Sequence, residues 1–202
     1  GAELFPERKD FLWAATHGDE GEAPTLTSVS FNYAGYSVMR SGWEADANMV
    51  CFDAGPTGLA HIHQDKLNMM LWAFGREVLL DTGGGPYEQS KWRKYGLSTY
   101  SHNTVLVDGL PQNRKRGFAS EPLTDVTWVT SENYDYAIGV YDELYGESAS
   151  VTHKRHVLFV KPDIFLVWDV LTSKDHASHN YQARWHVTTP NTAVDGAGIM
   201  SR

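Results

Sequence analysis

The sequence predicts an all-β fold: an antiparallel β-sandwich with a short helical segment in front of it. Three observations carry this. Short runs rich in Val, Ile, Phe, Trp, Tyr and Thr recur about every 8–12 residues, a spacing that suits a sandwich better than βαβ units. Turn residues separate the runs, and the interruptions at Phe74-Gly75-Arg76 and Lys161-Pro162-Asp163 have the form of hairpin reversals. Of 202 residues, 42% are hydrophobic and 12% aromatic, enough apolar surface for one packed core and too much for a disordered chain.

In chain order, residues 6–16 read as helix, with Pro6 near the first turn and Phe11, Leu12 and Ala15 on one side. Pro24-Thr25 closes that segment. Strands are expected at 28–32, 36–40, 48–53, 67–74, 77–81, 104–108, 126–130, 134–141, 152–160, 164–170 and 181–187. Residues 1–24 are therefore expected to be a linking or helical segment from a preceding domain, and 25–202 one β-sandwich domain, truncated. Nothing repeats, and no linker composition follows residue 25. The start at Gly1 and the end at Met200-Ser201-Arg202 predict a piece of a longer chain.

Seventeen Lys and Arg face 25 Asp and Glu, a formal charge of −8 with nine histidines neutral. That balance argues against nucleic-acid and anionic-membrane partners, which are held by summed cationic charge. No window approaches 18 uninterrupted apolar residues, and the N-terminus has no signal-peptide pattern. The single cysteine, Cys51, lies between Val50 and Phe52 and reads as a small buried hydrophobe. One stretch breaks the acidic trend. Between Gly85 and Phe118 six cations face only Glu88 and Asp108, a local balance of +4. Tyr87, Trp92, Tyr95 and Tyr100 interleave with those cations, which suits a groove for anionic sugars as well as it suits a solvated loop anchored by aromatics.

The densest polar cluster is Gly58-Leu-Ala-His61-Ile-His63-Gln-Asp65-Lys66. In an extended strand residues i and i+2 share a face, so His61 and His63 are expected to converge on a metal or an acid–base pair. Asp81 ends the apolar run Val78-Leu79-Leu80, and a carboxylate there needs a partner or a metal. His102 stands just before the apolar 105–107 run. His63, Asp81 and His102 together supply two imidazoles and a carboxylate. Taken singly, each is equally a strand-end Asp capping the glycine turn or a satisfied histidine. Glycines 83–85 lack the Lys-Ser/Thr ending of a phosphate loop and have no helix start after them, so they read as a broad turn.

Taken in order, Tyr36-Ser-Val-Met-Arg40-Ser-Gly-Trp43, Gly58–Asp65, Ala73-Phe-Gly-Arg76-Glu-Val-Leu-Leu-Asp81-Thr-Gly, Trp92-Arg-Lys-Tyr95 and Ser101-His-Asn-Thr-Val-Leu-Val-Asp-Gly109 resemble the heparinase II/III-like family, closely over about residues 30–115. The resemblance implies the β-sandwich part of a polysaccharide lyase whose N-terminal α/α toroid lies outside this sequence. It implies an acidic polysaccharide as partner (heparin, heparan, hyaluronan or alginate) cleaved by β-elimination, and a periplasmic or secreted location. By position, it implies His61 as an active-site histidine and His63, Asp81 and His102 as a structural zinc set. Tyr87 or Tyr95 matches an aromatic hydroxyl near substrate, with Trp92, Arg93 and Lys94 as sugar contacts. It also implies that the piece alone has negligible lyase activity.

Two rivals remain at this point. His61-x-His63-x-Asp65 resembles the metallo-β-lactamase-like hydrolase signature, as do the Asp-x-Gly elements at Asp53 and Asp81. That signature wants a histidine where Lys66 stands, and a fold of alternating helices and strands. The other rival is a non-catalytic glycan-binding or scaffold module.

Overall fold

The computed structural model describes residues 1–188, 192–195 and 198–201. A short helix, α1 (Lys9–Ala15), precedes the sheets and is three residues shorter at its start and one at its end than the expected 6–16. Its N-cap position, Arg8, offers no side-chain acceptor to the first-turn amides, consistent with the weak start signal. Trp13 holds the segment to the first sheet edge-on against Trp43, ring centroids 5.9 Å apart.

The first sheet is an antiparallel meander in chain order: β1 (Val29–Phe31), β2 (Tyr36–Arg40), β3 (Met49–Asp53), β4 (Asn68–Ala73) and β5 (Arg76–Leu79). Its buried face carries Met39, Val50, Phe52 and Met69. Phe74 and Gly75 make the β4–β5 turn with φ of 56° and 69°, so both central residues occupy the left-handed region that tight hairpins demand.

The second sheet runs β7 (Gln112–Asn113), β10 (Leu144–Tyr145), β11 (Ala149–Val160), β9 (Tyr134–Tyr141), β8 (Val126–Thr130), with β12 (Ile164–Ser173) also on β11. Val151, Val157, Phe159, Ala137 and Tyr141 point from it into the core. The layers meet so closely at Gly139 that a Cβ there would lie 2.5 Å from Ala54 Cβ and 2.6 Å from Leu67 Cδ2. A separate two-stranded ladder pairs β6 (Val105–Val107), wholly buried, with the exposed β13 (Tyr181–Ala183). A last hairpin joins β14 (Thr192–Asp195) to β15 (Gly198–Ser201).

The all-β sandwich and nearly every expected strand are observed. Three local departures stand out. The run at 181–187 is strand only over β13, with Val187 forming an isolated bridge to Leu79. The two-residue strands β7 and β10 were not expected. A helix, α2 (Lys91–Gly96), does follow the glycine turn; it starts on Ser90, whose side chain accepts from the Arg93 amide.

Candidate functional site

The site is built on the loop between β3 and β4. Its residues 61–66 are not strand, and His61 takes a left-handed φ of 56°, so the expected i, i+2 convergence of His61 and His63 fails. The backbone turns at His61 and sends the two imidazoles to different partners, although both line one cavity. Cross-ties hold the loop. Gly58 pairs with Gly117 through both amides, at 2.7 and 3.1 Å, and the Gln64 amide donates to Leu97 O at 2.9 Å. Arg114, only 3% exposed, donates to the carbonyls of Gly55 (2.8 Å) and His63 (3.3 Å) and to the Asp65 carboxylate.

His63 meets His102, which follows the 3-10 turn at Thr99–Ser101; their ring centroids are 5.4 Å apart. His102 is fully buried. Its Nδ1 lies 2.8 Å from Asp81 Oδ2, the same oxygen that accepts from Asn68 Nδ2 at 2.5 Å, while Asp81 Oδ1 accepts from the Gly83 amide at 2.7 Å. Burial alone would raise the Asp81 pKa, but the His102 contact and these donors outweigh it and hold the carboxyl below its ordinary value. A carboxylate on Nδ1 leaves Nε2 as the acceptor, and Nε2 is buried with no hydrogen-bond partner among the described residues. An orphaned imidazole lone pair is costly in a core and is what a metal ligand looks like without its ion.

Ligand atoms from His63, Asp65 and His102 lie within 4.8 Å of one another, so these residues can hold a metal ion. Burial lowers the His63 pKa, favouring the neutral imidazole that binds metal. Asp81 sits on His102 at hydrogen-bond distance, and Asp65 joins the cluster beside it.

His61 pairs with Tyr87 instead. The Tyr87 hydroxyl hydrogen-bonds His61 Nδ1, the rings meeting edge-on with centroids 5.8 Å apart. Tyr87 is 77% exposed. Below it the glycine turn, with positive φ at Gly83 and Gly85, aims carbonyls at a cation. Arg93 Nη1 donates to Gly84 O (2.7 Å), Gly85 O (3.2 Å) and Pro86 O (3.4 Å). This polarity is the reverse of a phosphate cradle, which presents amides. Trp92 and Lys94 are exposed on α2, and Tyr95 OH stands 3.5 Å from His186 Nε2.

A cavity of about 420 Å³ is lined among others by Tyr36, Asp53, His61, His63, Asp65, Asp81 and Arg114, while Trp92, Arg93 and Tyr95 line a separate one with the glycine turn. Asp53 has its pKa raised to about 6 by burial and by the charge of Asp65. That carboxylate and burial together push the Tyr36 phenol up. Cys51 also lines the cavity, its thiol pushed up to about 11, chiefly by burial. Sequence reasoning missed Asp53, Tyr36 and Arg114 as site residues. Asp53 did carry a signal, since it ends an apolar strand as Asp81 does.

The antiparallel sheets do not fit the metallo-β-lactamase-like alternative, which requires helices alternating with strands. The family model described as heparinase II/III-like, C-terminal, matches residues 23–201. The chain is 28% identical over 197 residues to a heparin-sulfate lyase of Pedobacter heparinus, covering 96% of this chain and 28% of that protein. It is 27% identical over 188 residues to a heparin-sulfate lyase of Bacteroides stercoris, covering 89% of this chain and 26% of that one. The crystal structure of a heparan sulfate lyase from Pedobacter heparinus superposes with a TM-score of 0.82 at 26% identity, covering 96% of this chain and 29% of that chain. The chain thus spans less than a third of the length of these relatives. With the sandwich and the family model in agreement over almost all of its length, the chain belongs to the heparinase II/III-like C-terminal family.

Proposed function

We propose that this chain is the β-sandwich part of a longer polysaccharide lyase that cleaves uronic-acid-containing polysaccharide by β-elimination, together with an α/α toroid outside these residues. Residues 1–24 are then the link from that toroid, and the protein works in the periplasm or outside the cell. The observation that carries the proposal is the exposed Tyr87 hydroxyl hydrogen-bonded to His61, a histidine that lines one cavity with His63, Asp65 and Asp81.

In β-elimination a base removes the C5 proton of the uronate, donors hold the charge that spreads into its carboxylate, and the 4-O-glycosidic bond breaks. An unsaturated uronate is left. The hydrogen bond between Tyr87 Oη and His61 Nδ1 gives a path for one proton between phenol and imidazole, so either group can hand it to a sugar oxygen or take it from carbon. Trp92 offers a face for a sugar ring and Lys94 a charge for its carboxylate or sulfate. Zinc would suit the His63 and His102 imidazoles with a carboxylate from Asp81 or Asp65, and would there tie the β3–β4 loop to the start of β6.

The intact longer protein, given a panel of uronate polymers, is expected to build up the ultraviolet absorbance of the unsaturated product. His61→Ala or Tyr87→Phe should lower that rate by at least about 100-fold. The 202-residue piece alone should show almost none. Full activity in both variants would overturn the assignment of this pair, and glycan binding by the intact protein without turnover would favour a binding module. Elemental analysis should find about one zinc per chain in wild type and none in His63→Ala.

A further inference from the structure

Arg93 belongs to the locally basic segment and was expected to face the sugar, yet its guanidinium is engaged within the protein. One nitrogen, Nη1, gathers the carbonyls of Gly84, Gly85 and Pro86. Three acceptors aimed at one point repel each other unless a cation occupies it. The guanidinium carbon also lies 4.3 Å from the centroid of the Tyr87 ring, a cation–π distance. Tyr87 is 77% exposed, so little besides this stacking and the His61 contact orients its ring.

Arg93 itself is fixed from behind, because its amide donates to Ser90 Oγ, the cap of α2, at 3.1 Å. The turn it clamps is wedged against the metal cluster: a Cβ on Gly84 would lie 3.2 Å from His63 Nε2 and 3.3 Å from Arg93 Nη1. Arg93, the glycine turn, Tyr87 and His61 therefore form one mechanical chain beside His63.

We propose that Arg93 is a positioning residue that clamps the 84–86 turn and stacks on Tyr87 to set its hydroxyl against His61, rather than a sugar-binding cation. This rests on the lyase reading above. Lysine cannot substitute for it, since an ammonium lacks the planar fork that can stack on a ring and bond carbonyls at once.

The test compares Arg93→Met and Arg93→Lys in the intact protein, by kinetics on a uronate polymer and by crystal structure. Both variants are expected to lose about 10–100-fold in kcat with KM changed less than about threefold, because a displaced hydroxyl impairs the chemical step and not the grip on the sugar. In both, the Tyr87–His61 hydrogen bond should be absent while the sheets superpose on wild type. A KM that rises with kcat unchanged, or a Tyr87–His61 contact retained in Arg93→Met, overturns the proposal. The crystallographic arm does not depend on turnover. Should the intact wild-type protein turn over no uronate polymer, the lyase reading fails, while the structures of the Arg93 variants still decide the clamp.

Discussion

Asp53 and Asp81 each end an apolar strand run at the wall of the same cavity, and their surroundings drive them in opposite directions. Asp81 accepts from Gly83, Asn68 and His102 and stays ionised more readily than a free carboxyl. Asp53 is pushed to about 6 by burial and by Asp65, with the Gly55 amide as its close donor at 2.8 Å. A carboxyl whose folded pKa is raised binds its proton more tightly when folded. Asp53 therefore costs stability as pH rises from its unfolded value of 3.8 through about 6, and the cost is complete above that. Asp53→Asn keeps an acceptor for Gly55 without the charge. It is expected to stabilise the protein by about 1–3 kcal/mol at pH 8 and by almost nothing at pH 4, read from denaturant melts at both pH values. Equal effects at both would show that charge is not the cause. The histidines show where sequence stops at this scale: alternation along a strand was the natural reading of His61-x-His63, but a single left-handed residue separates the two rings.

At the scale of elements, the long hairpin β11–β12 was legible because ten cross-strand pairs repeat the alternation of buried and exposed positions. The short pieces were not. Strands β7 and β10 have two residues each, too few to show a period, and α2 buries only Gly96, so it has no apolar stripe. Sequence also could not say what joins β11 to β12 on the inner face. Cross-strand partners Arg155 and Asp169 form a two-pronged pair there, Nε to Oδ1 at 2.8 Å and Nη2 to Oδ2 at 2.9 Å. Arg155 Nη1 continues to the carbonyls of Leu67 (2.7 Å) and Asn103, the neighbours of Asn68 and His102. Burial would raise the Asp169 pKa, but Arg155 and His153 overcome it and hold the carboxyl far below its ordinary range. Its contribution to stability is present above the unfolded pKa and is lost as pH falls through the folded one. Asp169→Asn leaves a buried guanidinium without its counter-charge, and should cost about 3–5 kcal/mol at pH 7 in a denaturant melt. A loss below about 1 kcal/mol would mean that the backbone carbonyls alone satisfy Arg155.

For the whole molecule, the outer face of the second sheet is the exception to the inside–outside pattern. Ile164, Leu166, Trp168 and Val170 on β12 are 42–55% exposed, and Tyr136, His156 and Trp168 stack across three strands, His156 and Trp168 with ring centroids 4.7 Å apart. An apolar face of this kind binds hydrophobic dyes and promotes self-association. Leu166→Glu, about half exposed in the native protein, should change stability by no more than about 0.5 kcal/mol while lowering dye fluorescence and the associated fraction in sedimentation. Unchanged dye binding would place the sticky surface elsewhere.

The sequence by itself determined the fold class, the positions of most strands and the residue types of the candidate site, because alternation, turn chemistry and strand-end carboxylates are local patterns written in neighbouring residues. The sequence already grouped His63, Asp81 and His102; only the tertiary structure decided that Asp65 joins His63 and His102, that His61 joins Tyr87, and that the cations Arg93 and Arg114 are held by backbone carbonyls and a carboxylate. Apart from His63–Asp65 and the Arg93 clamp, those partnerships join segments 21–59 residues apart through loops whose geometry depends on single left-handed turns and buried cross-ties, and no local period encodes them.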